Sequence, residues 1–229
     1  MSFKNCIPLL FLSVSLVAQT PSGNQSPPLE EAIPQSVGMS AERLARIDAM
    51  AMSAIEENQV PGMVALVARN GKIVYYKAFG ENDANTNEPL KRDAIFRIAS
   101  QTKAITSTGL MMLWEEGKFQ LDDSISKYIP EFKNAQVLDT VYPDGTYTTT
   151  PADKPITIRN LLTHTSGIGY GQIDGDPRIK RIYKDAGITD LFTTKPVVLK
   201  ENIEKLAKLP LHHNPGERFT YGESLDVVG

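Results

Sequence analysis

Phe96-Arg97-Ile98-Ala99-Ser100-Gln101-Thr102-Lys103-Ala104-Ile105 runs on through Gly109-Leu110-Met111-Met112-Leu113-Trp114 to Gly117, and this stretch decides how the chain is read. The apolar run predicts a buried helix that opens on Ser100, with Gly117 as its C-terminal stop. Positions i and i+3 share one face of a helix, so the Lys103 amine can reach the Ser100 hydroxyl. A helix N-terminus also offers free N–H groups and a positive dipole end to a developing oxyanion. That is the layout of a serine nucleophile with a lysine base.

Spacing alone is a weak signal. With 14 Ser and 15 Lys in 229 residues, chance supplies about one S-x-x-K, and a second one stands at Ser124-Ile125-Ser126-Lys127. Context separates the two. Ser124 sits between Asp122-Asp123 and Tyr128-Ile129-Pro130, where the proline limits any helix and no apolar wall can lower a lysine pKa. It reads as a surface turn or helix cap. The bland reading of Ser100 is also a cap, an N-terminal serine followed by a solvated Lys103.

Two downstream segments bear on that choice: Leu161-Leu162-Thr163-His164-Thr165-Ser166-Gly167, and Asn214-Pro215-Gly216-Glu217-Arg218-Phe219-Thr220-Tyr221. In order and spacing after Ser100-Gln101-Thr102-Lys103 they resemble the serine beta-lactamase-related family, which includes class C beta-lactamases, esterases and D-alanyl-D-alanine carboxypeptidases. The resemblance runs from about Gly38 to Gly229. It implies Ser100 as nucleophile, Lys103 as its base partner and Tyr221 as the tyrosine of the Y-x-N element. It also implies an acyl-enzyme mechanism on ester or amide substrates, beta-lactams and D-Ala peptides among them. Taken without the resemblance, Tyr221 reads as a buried aromatic with its hydroxyl bonded.

Two features depart from the family pattern. Glu223 occupies the asparagine position of Y-x-N, where a carboxylate adds negative charge near the lysine and removes an amide donor. This turns the expectation toward esterase-type relatives. Family members also continue into strands bearing a K-T-G-like or H-x-G element, so the chain to Gly229 resembles the front part of a longer protein. Residues 1–229 alone are then expected to lack one oxyanion donor and to turn over little substrate. The alternative is a non-catalytic ligand-binding relative or an inactive fragment.

For Ser100 to attack near neutral pH, its hydroxyl must lose a proton. A free lysine, with a pKa of about 10.4, is protonated there, so Lys103 has to be partly desolvated or set beside another cation to act as base. Tyr221 could instead be held as a phenolate by Lys103, or relay the proton to the leaving group.

The first eighteen residues read differently from the rest. Lys4 precedes an apolar run from Cys6 to Ala18, the order of a secretory signal peptide cut after Ala18 and too short to span a bilayer comfortably. Residues 19–34 then read as a polar, Pro-rich linker and 35–229 as the hydrolase domain. Export to the periplasm or medium follows, with no stable membrane span after processing. Cys6, the only cysteine, leaves with the signal, so disulfides play no part.

With 41% apolar residues and a net charge of −3, the chain can build a core, and it has no basic run to suit nucleic acid. Ser40 can cap a helix bearing Leu44, Ile47, Ala51 and Ile55, and Asn70-Gly71 between two apolar runs predicts a hairpin. Helix, hairpin and Ser100 helix together point to the α/β (α+β sandwich) class, a mainly antiparallel sheet flanked by helices, beta-lactamase/transpeptidase-like by resemblance. A mostly helical region is expected from Leu121 to Leu211, with a turn at Pro143-Asp144-Gly145. Asp83-Ala84-Asn85-Thr86-Asn87 begins like a calcium loop, but Glu88 and Ala94 stand where its glycine and closing glutamate belong. His164, His212 and His213 show no zincin spacing, and Ser166 lacks the glycine of a nucleophile elbow. His164 reads as a structural hydrogen-bonder at the end of a short helix. No cofactor or metal is called for; the partner is a small-molecule ester, amide or beta-lactam-like substrate.

Overall fold

The computed structural model describes residues 28–83, 85 and 87–229. The expected signal segment and most of the expected linker lie outside them. The chain divides into two units with a boundary between Phe96 and Arg97. Among the described residues no helix is long and apolar enough to cross a membrane.

The first unit holds β1 (Glu30–Glu31), helix α1 (Ala41–Glu56), β2 (Gly62–Arg69), β3 (Lys72–Asp83) and β4 (Glu88–Pro89). β3 is central: β2 and β4 pair with it antiparallel, and β1 pairs with it in parallel. Asn70 and Gly71 close the β2–β3 hairpin with φ of 50° and 71°, the positive values a tight hairpin turn requires. Ser40 caps α1 by accepting from the Arg43 N–H at 3.2 Å. The cap fixes which helix face meets the sheet, and Leu44 buries against Val74 and Tyr75 with Ile47 packed beside them. Two residues of the expected 19–34 linker are part of the sheet. Glu30 and Glu31 join the sheet opposite Lys72 and Ile73, and Arg92 pairs with Glu31 at 3.0 Å.

The second unit begins with α2 (Gln101–Glu115), followed by a hairpin of β5 (Gln136–Val141) and β6 (Tyr147–Pro151). Helices α3 (Ile158–Leu162), α4 (Pro177–Asp185), α5 (Leu199–Leu206) and α6 (Ser224–Val228) complete it. Its core gathers Ile156, Leu161, Ile168, Ile179, Tyr183 and Leu206. Between Leu121 and Leu211 the helices outnumber the strands, and the expected turn at Pro143-Asp144-Gly145 joins the two paired strands of the β5–β6 hairpin. Tyr147-Thr148-Thr149-Thr150 favours that outcome, being β-branched and aromatic in composition.

The helix after Ser100 forms as expected and ends at Gly117, whose φ is 70° and whose N–H bonds the Trp114 carbonyl. It is not buried, however. No α2 residue is buried, and Ile105 and Met112 are 65% and 59% exposed. The apolar side chains are spread around the helix rather than gathered in one stripe, so a single neighbour such as α6 covers only part of them.

Candidate active site

Ser100 precedes the first residue of α2 without capping it: its side chain makes no capping bond, contrary to the bland reading. The residue before it, Ala99, has φ of 45°, a left-handed conformation that costs a non-glycine residue about 1–2 kcal/mol. Ser100 itself has helical φ and ψ of −67° and −10°, not the extended backbone of a capping residue. The hydroxyl lies instead 2.6 Å from the Tyr221 hydroxyl. One helical turn on, the Lys103 Nζ donates to the Tyr170 hydroxyl at 2.9 Å and stands 5.0 Å from the Tyr221 ring centroid. The three residues singled out from sequence are thus brought together, with a fourth, Tyr170.

Tyr170 and Tyr221 are carried by two irregular segments that interlock. Gly222 passes so close to the 168–169 backbone that a Cβ there would sit 2.0 Å from the Ile168 carbonyl oxygen. A glycine after the tyrosine is therefore a steric requirement. His164 fastens the same segment: its carbonyl accepts from the Thr220 N–H at 2.8 Å, its Nδ1 accepts from the Gly222 N–H at 3.4 Å, and its ring lies 4.8 Å from that of Tyr221. This is the structural role expected of it. Burial, aided by the Lys103 charge, lowers the His164 pKa and keeps the ring a neutral acceptor.

The loop that carries Tyr170 is held by two buried carboxylates. Asp174 accepts from the Tyr170 N–H at 3.0 Å and meets His212 Nε2 at 2.9 Å. Asp190 accepts from the N–H groups of Gly171 at 2.7 Å and Gln172 at 2.9 Å. Tyr170 itself is 4% exposed. Nothing in the sequence pairs it with Lys103, sixty-seven positions earlier; the available signal is its place three residues after the T-S-G turn.

The electrostatics overturn one expectation. Burial pushes the Lys103 pKa down, but hydrogen bonds to Tyr170 and Tyr221 outweigh it and the net shift is upward. Lys103 is therefore a cation and not a depressed-pKa base. The Tyr221 phenol moves down: its bond to Ser100 is the largest effect, burial opposes it, and Lys103 adds to the lowering. Tyr170 moves up because it is buried and stays a neutral phenol. Glu223 is 2% exposed, and burial together with Asp190 and Asp226 raises its carboxyl to about 8. At neutral pH it is thus an uncharged acid, and the extra negative charge expected at this position is absent.

Ser124 is placed elsewhere in this unit. It accepts from the Ser126 N–H at 3.3 Å, while Lys127 turns to Asp123 at 3.0 Å, so that serine and lysine do not meet. Beside Ser100 and Lys103 opens a pocket of about 420 Å³ whose wall includes Tyr170, Phe192, Glu223 and Asp226. Among the described residues no cluster of three or more His, Cys, Asp or Glu is arranged to hold a metal ion.

The chain is similar in sequence and fold to known proteins. Esterase EstB of Burkholderia gladioli is 35% identical over 190 residues, covering 83% of this chain and 45% of that protein. The solved structure of EstCE1, a hydrolase with promiscuous acyltransferase activity, superposes with a TM-score of 0.67 at 31% identity, over 81% of this chain and 45% of the other. Simvastatin synthase (LovD) from Aspergillus terreus superposes with a TM-score of 0.64 at 28% identity, over 83% and 46%. The chain spans about half the length of these relatives. The family described as Beta-lactamase matches residues 42–226, and the chain belongs to it.

Proposed function

We propose that the protein is a serine hydrolase that cleaves esters through an acyl-enzyme, with Ser100 as nucleophile, Tyr221 as proton carrier and Lys103 as the fixed cation beside it. The observation that carries this reading is the 2.6 Å contact between the Ser100 and Tyr221 hydroxyls at the end of the Lys103 side chain. With its phenol pKa lowered, Tyr221 takes the Ser100 proton as Oγ bonds to the ester carbonyl carbon. The ester C–O bond then breaks, and the leaving alkoxide takes the proton back from Tyr221. Water repeats the sequence on the acyl-enzyme and releases the acid. An alcohol in place of water would give acyl transfer, the activity named for EstCE1. Lys103 gives up no proton; it stabilises the phenolate whenever Tyr221 is deprotonated. The Ser100 N–H, which donates to no backbone carbonyl among the described residues, is the oxyanion donor that the chain supplies.

Support for esters over beta-lactams comes from Glu223 in place of the family asparagine and from the esterase among the relatives. Residues 1–18 are proposed as an export signal on the strength of Lys4 and the apolar run to Ala18. A fluorophosphonate probe followed by peptide mapping tests the core of the reading. Label is expected on Ser100 and absent from Ser100→Ala; label on Ser124, or label persisting in that variant, would overturn it. A protein that stays unlabelled and releases no burst from p-nitrophenyl butyrate would be a ligand-binding relative instead.

A further inference from the structure

The pocket beside Ser100 is unbalanced in charge. Asp190, Glu223 and Asp226 line it, and the one basic side chain among the described residues of its wall is Lys103, which already donates to Tyr170. Glu223 is 2% exposed, and its Oε1 has no hydrogen-bond partner. A buried acceptor without a donor is costly, and a ligand bearing N–H groups can supply one. The rest of the wall includes Phe192, an exposed aromatic of the kind that attracts a desolvated cation. A ligand carboxylate, by contrast, meets Asp190 and Asp226 and no uncommitted cation.

We propose that this pocket is a subsite for a substrate group ending in an alkylammonium, with Asp226 as its charge partner and Glu223 as a hydrogen-bond acceptor. Such a group offers N–H donors to the unmet carboxyl oxygen, a positive charge to Asp226, and a methylene stem to the apolar side chains of Leu191 and Val197. Substrates that carry a carboxylate near the scissile bond are disfavoured by the same wall. The kinetic consequence rests on the reading of Ser100 as the attacking group; the binding consequence does not.

The test therefore has two arms. Saturation-transfer NMR on the wild-type protein compares pentylammonium, pentan-1-ol and pentanoate, and is expected to show transfer to pentylammonium and none to pentanoate. The kinetic arm compares kcat/KM for p-nitrophenyl 6-aminohexanoate and mono-p-nitrophenyl adipate, esters of similar length and opposite charge. The ammonium ester should exceed the carboxylate ester by about tenfold or more, the weight of one partly screened charge pair. The ratio should fall several-fold in Asp226→Asn combined with Glu223→Gln. A ratio near one, a ratio unmoved by that double change, or equal transfer to pentylammonium and pentanoate would overturn the proposal. If pentylammonium binds and neither ester is cleaved, the subsite stands and the hydrolase reading fails. If both esters are cleaved without charge preference, the reverse holds.

Discussion

Ser100 and Tyr221 lie 121 positions apart in sequence and 2.6 Å apart at their hydroxyl oxygens. Ser100 stands at the head of α2 in helical conformation, directly after the left-handed Ala99, and the Gly222–Ile168 approach fixes the tyrosine. Lys103 is carried one turn along α2, where both tyrosines come within its reach.

The division of labour between lysine and tyrosine predicts a pH signature. If Tyr221 must be deprotonated to accept the Ser100 proton, activity rises with pH through the Tyr221 pKa, which stands below the ordinary phenol value. Removing the cation in Lys103→Met takes away part of what lowers it, so the rising limb should move to higher pH and the rate at pH 7 should fall. Tyr221→Phe should cost about 10²–10⁴ in kcat, the usual weight of a positioned acid–base group. Stopped-flow acylation with p-nitrophenyl butyrate between pH 6 and 10 measures both. An unmoved limb in Lys103→Met would show that the lysine does not act through the phenol.

Two glycine substitutions should move stability in opposite directions. Gly109 lies inside α2, and a Cβ added there meets nothing within 4 Å. Gly109→Ala should stabilise by about 0.5–1 kcal/mol, because alanine forfeits less backbone entropy in a helix. Gly222→Ala places its Cβ 2.0 Å from the Ile168 oxygen and must displace backbone, at a cost of roughly 1–3 kcal/mol or more. Since Gly222 follows Tyr221, that variant should also lose activity. Urea titration of both variants checks the signs; a Gly222→Ala protein as stable and active as wild type would mean that the two segments are not interlocked.

Local signals were the legible ones. Ser40 as a cap, Asn70-Gly71 as a hairpin turn and Gly117 as a helix stop each depend on one residue's backbone preference, and each was readable without knowing its neighbours. Ser100, Lys103 and Tyr221 were legible through the motifs around them. What escaped was non-local. Tyr170 carries no motif of its own, and its bond to Lys103 exists only because Asp174 and Asp190 hold the 169–172 backbone. Glu30–Glu31 is too short a strand to show a period-2 pattern, so this edge of the sheet has no sequence signal that sets it apart from linker. The charge state of Glu223 escaped for the same reason: it depends on burial and on two carboxylates, one of them thirty-three positions away.

That charge state gives the remaining prediction. Glu223 titrates at about 8 in the folded protein against an ordinary value of 4.5, chiefly because it is buried and then because Asp190 and Asp226 oppose its ionisation. Between those two values the folded chain keeps a proton that the unfolded chain has released. Stability therefore falls as pH rises across this window, by at most about 1.4 kcal/mol per pH unit, and levels off above it. Asp226, also raised by burial, adds an effect of the same sign at the acid end. Glu223→Gln keeps the shape and removes the titration, so the stability of the variant relative to wild type should increase from pH 5 to about pH 8 and then stay constant. Urea unfolding at unit steps from pH 5 to 9 measures this difference. Parallel curves would mean that Glu223 ionises normally, and that the neutral acid placed beside Ser100 and Lys103 at pH 7 is a carboxylate instead.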